Sequence, residues 1–203
     1  MANLDYERQL LQKGYKRIAG VDEAGRGPLA GPLVVASVIL KEGYSNENIN
    51  DSKKLTDKKR RMLFNEIINN SLSYCIIVVD NQIVDKLNIY EATKQAMISS
   101  LKEVDCDYAL VDAMKLEIDN YLPLIKGDAK STSIAAASIL AKVYRDDLML
   151  AYDKLYPQYD FKHNKGYGSK KHLEALDQFG PCKIHRLSYK PVRDSLNPRL
   201  ELF

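Results

Sequence analysis

The stretch from Ile18 to Leu40 constrains the fold more than any other part of this 203-residue chain. An apolar run ending at Val21 meets two adjacent acids, Asp22 and Glu23, and then breaks at Gly25-Arg26-Gly27-Pro28 and again at Gly31-Pro32. From Leu33 to Leu40 the chain is apolar again and carries no charge. Two β-branched apolar runs on either side of a Gly/Pro turn predict a hairpin-like pair of strands, over Lys16–Asp22 and Leu33–Leu40. The acids therefore fall at a strand end.

The remaining pattern alternates strand-like and helix-like segments. Residues 1–11 have the spacing of an amphipathic helix, with early acids that do not suit a signal peptide. Asn46–Leu55 is a polar loop, and Thr56 can cap a helix running to about Asn70. Ser73–Asp80 predicts a third strand, and Ile83 to about Lys102 a helix interrupted near Asn88. Asp107–Asp112 predicts a fourth strand and Tyr121–Lys126 a short fifth, with its proline near one end. The longest helix is expected from about Ser131 until Pro157 stops it. A Gly/Lys/Tyr loop over Lys162–Ser169, a short helix over about Lys170–Gln178 and a proline-containing tail follow. This order implies an α/β core in one domain, residues 1–203, of which about 157–203 form a basic C-terminal extension.

Length and composition suit one sizeable core, and 45% hydrophobic with 28% charged residues argues against disorder. No apolar run approaches the roughly 18–20 residues of a membrane span. Cys75, Cys106 and Cys182 lack metal-ligand spacing, and their odd number points to a reducing, cytoplasmic setting. The net charge of +3 conceals a segregation. Lys162, Lys165, Lys170, Lys171, Lys183, Arg186, Lys190 and Arg193 are opposed within that stretch only by Glu174 and Asp177. Lys53, Lys54, Lys58, Lys59, Arg60 and Arg61 form a second basic cluster. Such clusters fit a polyanionic ligand, or simply solvated helix faces.

Asp22, Glu23, Asp112 and Asp128 each end, or closely follow, an apolar strand-like run. Gathered together, four carboxylates would repel one another, and hard divalent cations such as Mg²⁺ or Mn²⁺ would remove that conflict. Two such ions roughly 3.5–4 Å apart can assist phosphodiester cleavage. Consecutive strand residues point to opposite faces, so Asp22 and Glu23 can share a site only if the strand ends or bends there. Gly25 supplies that freedom. Taken singly, each of these acids also reads as an ordinary turn or cap residue.

Seven blocks carry a specific resemblance: Val21–Pro32, Asn50–Leu55, Val111-Asp112, Lys126–Lys130, Ser138–Asp146, Lys165–Gly168 and His185–Tyr189. In order and content the chain resembles bacterial type 2 ribonuclease H, ribonuclease HII, from about Lys16 to Arg193. The resemblance implies a ribonuclease H-like fold, a mixed five-stranded sheet flanked by helices, with a helical C-terminal extension. It implies hydrolysis of the RNA strand of RNA·DNA hybrids and nicking 5′ to single ribonucleotides in duplex DNA. Two divalent ions would be held by Asp22, Glu23, Asp112 and Asp128, leaving 5′-phosphate and 3′-hydroxyl ends. Asp146 competes for the fourth place, but Lys126-Gly-Asp-Ala-Lys130 matches the family block, and Asp146 falls deep in a predicted helix.

By the same resemblance, Gly25, Arg26 and Gly27 read the nucleotide pair at an RNA-to-DNA junction, and Tyr167 stacks on the following deoxyribose. A 2′-hydroxyl is what distinguishes RNA from DNA, and glycine lets main-chain groups approach it. Lys53, Lys165, Lys171, Lys183 and Arg186 are expected at phosphates, with Asn50 and Ser52 as further backbone contacts. His163, His172 and His185 are not spaced as zinc ligands; His185 could help to hold the C-terminal segment. A monomer suffices, and Leu200–Phe203 is too short a signal to establish a replication-clamp partner. Rival expectations are a ribonuclease HIII-like hybrid nuclease, a catalytically inactive nucleic-acid-binding relative and a junction resolvase. For ribonuclease HIII, no room is expected before Lys16 for an added N-terminal domain.

Overall fold

The structure, a computed structural model, describes residues 2–196. In chain order its helices are α1 (Asp5–Gln12), α2 (Asp57–Asn69), α3 (Asn81–Leu87), α4 (Ile89–Val104), α5 (Thr132–Leu155), α6 (Phe161–Asn164), α7 (Lys170–Phe179) and α8 (Lys190–Ser195). Its strands are β1 (Ile18–Ala24), β2 (Leu33–Leu40), β3 (Ser71–Val79), β4 (Tyr108–Asp112) and β5 (Tyr121–Leu124). They form one sheet in the order β3-β2-β1-β4-β5. β1 pairs antiparallel with β2 and parallel with β4, and β4 pairs parallel with β5, so the sheet is mixed as expected. Pro123 is tolerated because β5 lies at the sheet edge.

The described residues divide into two compact units. The first takes the chain up to Ala24, Val34–Val78 and Thr93–Tyr144. Here the hydroxyl of Thr56 accepts from the Lys59 N–H and caps α2, as the sequence predicts. Leu10, Ile18, Leu110, Leu124 and Ile134 form a buried cluster joining α1, β1, β4, β5 and α5. Gly20 lets α5 sit directly on β1, since a Cβ there would lie 2.1 Å from the Ser133 carbonyl carbon. Glu7 of α1 reaches the same helix start, accepting from Ser131 Oγ at 2.7 Å and the Ser133 N–H at 3.0 Å. A carboxylate is favourable there because the first turn of a helix leaves backbone donors unused.

The second unit takes Gly25–Leu33, Val79–Ala92 and the described residues from Arg145. It is larger than the extension expected from residue 157, because two earlier segments are bonded into it. Asn81 donates to the carbonyls of Lys183 and His185, while Asp85 accepts from the N–H groups of Leu187 and Ser188. Ala30, Met149, Tyr159, Phe161, Ala175 and Ile184 make its main apolar cluster. Leu29, Leu176 and Val192 make another. The interruption expected near Asn88 is present: its φ of 65° separates α3 from α4, and its side chain accepts from the Glu91 N–H. The loop expected over Lys162–Ser169 begins as the short helix α6.

Among the described residues no helix is long and apolar enough to cross a membrane. Leu200–Phe203, the segment weighed for a clamp, lies outside the described residues.

Candidate active site

The acids of the first unit are brought together by strand register. Val21 of β1 pairs with Val111 of β4 in parallel, so Asp22 and Asp112 are the next residues on neighbouring strands. Asp112 in turn accepts from the Gly127 N–H at 2.6 Å. Gly127 opens the short 3₁₀ turn Gly127–Ala129 that carries Asp128. A side chain at Gly127 would meet Ile134 Cδ1 at 2.6 Å and Asp112 Oδ1 at 3.1 Å, so glycine permits this link. Asp22 is buried and accepts from the Glu23 N–H at 2.7 Å, while β1 runs on through Glu23 and Ala24, which pair with Val35 and Val34 of β2, so the strand does not end between the two acids as the sequence reading required.

Asp22, Asp112, Asp128 and Lys53 lie within one another's electric fields. Burial, then Glu23, then Asp112 push the Asp22 carboxyl well above its ordinary pKa, and hydrogen bonding from Ser138 works against the rise. Burial, Asp112 and Asp51 raise Asp128, opposed by Lys53. Burial alone would lower the Lys53 ammonium, but the fields of Asp128, Asp22, Asp51 and Asp112 outweigh it and hold its pKa raised. Asp51 and Ser138 were not singled out from the sequence. Asp51 lies within the Asn50–Leu55 block, where it caps a 3₁₀ turn by accepting from the Lys53 N–H. Ser138 lies among the small residues of α5 and shares a hydrogen bond with Ser52 at 3.0 Å.

Among the described residues, no three His, Cys, Asp or Glu side chains are gathered closely enough to hold a metal ion as they stand. The donor set nevertheless fits a hard divalent cation. All four acids offer oxygen, and two carry the raised pKa of carboxylates held near like charge in a desolvated place.

The second unit holds the Gly25-Arg26-Gly27 turn by its carbonyls. Arg186, expected at a phosphate, is instead fully buried. Its guanidinium donates to Gly25 O at 2.6 Å, to Gly31 O at 3.0 Å and 3.1 Å, to Arg26 O at 3.0 Å and to the Tyr189 hydroxyl at 2.9 Å. The fork geometry of guanidinium suits several converging carbonyls, and this corrects the surface role assigned to Arg186. Arg145, also buried, donates to the carbonyls of Pro32, Ala30 and Lys165. Gly25 has φ +101°, and a Cβ there would lie 2.2 Å from Arg145 Nε. With Arg186 holding the carbonyls of Gly25 and Arg26 inward, the turn leaves Arg26 and Gly27 exposed. Tyr167 is exposed too, and its Cε1 would stand 3.5 Å from a Cβ on Gly27. Gly166, at φ +85°, admits the close approach of Ala30 O.

The other expected contacts are placed variously. Lys53, Lys171 and Lys183 are exposed. Lys165 is half-buried and donates to Lys162 O at 2.6 Å. Asn50 is half-buried and accepts from the Asp51 N–H. Ser52 is buried with its hydroxyl on Ser138, so that side chain corrects to an internal role. Asp146 is buried in α5, in the second unit, where its charge supports that of Arg145. His172 and His185 are buried and bonded to each other; His163 is exposed and pairs with Asp160.

Comparison with known proteins gives a consistent result. A family model described as Ribonuclease HII matches residues 19–192. The ribonuclease HII of Listeria innocua is 54% identical over 193 residues, covering 94% of this chain and 74% of that protein. The crystal structure of ribonuclease H2 from Pyrococcus horikoshii aligns with TM-score 0.77 and 26% identity, covering 89% of this chain and 97% of that one. The structure of a PCNA:RNase HII complex from Archaeoglobus fulgidus aligns with TM-score 0.74 and 26% identity, covering 92% and 100%. The mixed sheet is thus similar to those of ribonucleases H.

Proposed function

The chain belongs to the ribonuclease HII family, and from that premise we propose that it is an endonuclease that hydrolyses the RNA strand of RNA·DNA hybrids and nicks duplex DNA on the 5′ side of a single embedded ribonucleotide. The observation that carries the reading is the β1–β4 register, which sets Asp22 and Asp112 side by side, with Asp128 tied to Asp112 through Gly127.

Asp22, Glu23, Asp112 and Asp128 would hold two divalent ions, Mg²⁺ or Mn²⁺. Bound there, the ions would supply Lewis-acid activation of water and charge stabilisation at the phosphate. The chain's own residues do the rest. Gly127 and the Glu23 N–H orient two of the carboxylates, and Ser138 steadies the ionised form of Asp22. Lys53, kept protonated by the acids around it, offers a fixed positive charge to a substrate phosphate. Lys171 and Lys183 contribute the same without reading bases, so cleavage should be nearly independent of sequence. Arg26, Gly27 and Tyr167 remain exposed on rigidly held turns and are assigned to the ribose at the RNA-to-DNA step. On this reading the protein acts as a monomer in the cytoplasm.

The deciding experiment is cleavage of duplex DNA bearing one ribonucleotide, with and without Mg²⁺, with the cut mapped to a phosphate. A Mg²⁺-dependent nick 5′ to the ribonucleotide, leaving 3′-hydroxyl and 5′-phosphate ends, is expected. Cleavage confined to long hybrids would favour a ribonuclease HIII-like activity, and binding without cleavage an inactive relative.

A further inference from the structure

The buried histidines of the second unit form a hydrogen-bonded chain whose proton positions follow from their partners. A carbonyl oxygen can only accept, so His172 Nδ1, 2.8 Å from Tyr167 O, carries a proton. The Cys182 N–H donates to His185 Nδ1 at 2.9 Å, so that nitrogen is bare. The two Nε2 atoms are 3.0 Å apart, and with both rings neutral the proton between them belongs to His185. Burial lowers the pKa of both imidazoles, and His172 helps to bring His185 down to about 4. The edges of Tyr159 and Phe161 enclose the pair.

One end of this chain is attached to the exposed Tyr167 turn, and the other, through the His185 main chain, to the segment that follows the Gly25–Gly27 turn. At the first end, Tyr167 O accepts from both His172 Nδ1 and the Ser169 N–H, and the Tyr167 N–H donates to Asn164 O at 2.9 Å. The main chain is pinned there while the ring stays about half exposed. At the other end His185 forms an antiparallel bridge with Ala30. The Arg186 N–H donates to Leu29 O and the Gly31 N–H to Ile184 O. His185 therefore travels with the segment that follows Gly25-Arg26-Gly27.

We propose that His172 and His185 are positioning residues, a neutral relay that fixes the Tyr167 ring against the Gly25–Gly27 turn and so sets selectivity for a ribonucleotide followed by DNA. The inference rests on the substrate reading given above. Apolar packing alone would hold a helix and a loop near each other; directional bonds ending on the tyrosine's own carbonyl fix the main chain from which its ring extends.

The test compares His172→Leu, His172→Asn and Tyr167→Ala on single-ribonucleotide duplexes and on long hybrids. His172→Leu is expected to lower kcat about tenfold on the single ribonucleotide relative to the hybrid, with KM held by phosphate contacts. His172→Asn keeps a donor near the place of Nδ1 and should recover most of the loss. The double variant His172→Leu/Tyr167→Ala should be no more selective in its defect than Tyr167→Ala. Additive defects, or equal loss on both substrates in His172→Leu, would overturn the relay. A selective loss in Tyr167→Ala alone would also overturn it while leaving the ribose reading intact. Independently of activity, imidazole ¹⁵N shifts of the unaltered protein should show His172 protonated on Nδ1 and His185 on Nε2; the opposite tautomers would sink the proposal even if every variant unfolded.

Discussion

Replacing Arg186 with methionine separates a structural clamp from a phosphate contact. Methionine fills much of the volume and donates nothing. Arg26 O keeps its bond from the Tyr189 hydroxyl at 2.6 Å, but the buried carbonyls of Gly25 and Gly31 lose their guanidinium donors. At about 1–3 kcal/mol for each buried acceptor left unmet, the loss is about 2–6 kcal/mol. Removing a buried charge offsets part of it, since burial already depresses the Arg186 pKa, and we therefore expect about 2–4 kcal/mol. With a urea m-value of about 2 kcal/mol/M, the unfolding midpoint should fall by about 1–2 M. Arg186→Lys should recover only part of this, because one ammonium cannot span Gly25, Arg26 and Gly31 as the planar fork does. A stability loss below about 1 kcal/mol, joined to a salt slope reduced by about one, would restore Arg186 as a phosphate ligand and refute the clamp.

Three further outcomes are expected. Asp22→Asn or Asp128→Asn should remove most cleavage while duplex binding survives in a gel-shift assay, and Mn²⁺ should raise the melting temperature of either variant less than that of the unaltered protein. Lys53→Ala should weaken substrate binding and reduce the slope of log K against log salt by about 0.9, the share of one phosphate contact; an unchanged slope would remove Lys53 from the interface. His185 is held neutral in the folded state to about pH 4 against an ordinary 6.5, so the unfolded chain takes up its proton first as pH falls. Its contribution is intact above pH 6.5 and lost on descent to about pH 4, amounting to about 3 kcal/mol. Unfolding titrations of the unaltered protein and His185→Gln should differ in slope across that window, and parallel curves would contradict the assignment.

What could be read from the chain was local. β2 occupies Leu33–Leu40 as expected because seven apolar residues and Ser37, between Pro32 and Lys41, leave few alternatives. The Thr56 cap and the break at Asn88 were legible because a hydroxyl cap and a positive φ are decided by neighbouring residues. Convergence of the acids was not legible, since it depends on the register between β1 and β4, some 90 residues apart. Arg186 was misread because a basic residue in a lysine-rich run gives no sign that three carbonyls await it. Asp51 was passed over because Asn-Asp-Ser is also an ordinary loop composition. That Gly25–Leu33 and Val79–Ala92 group with the C-terminal segment was not legible, because they join it through hydrogen bonds to distant backbone, which leave no periodic trace.

The bond from Arg186 to Gly25 spans 161 positions of chain. During synthesis at roughly 5–20 residues per second, the turn that follows the first two acids would wait roughly 8–32 s before its clamp left the ribosome. Strands β1 to β5 are all made before that moment, so the turn is completed only after every strand of the sheet has been synthesised. A nascent chain halted after residue 128 and before residue 186 would carry every acid of the candidate site and lack the means to hold its ribose-facing turn. Ribosome-stalled intermediates of graded length would therefore be expected to gain protease resistance at Gly25–Leu33 only in the final step.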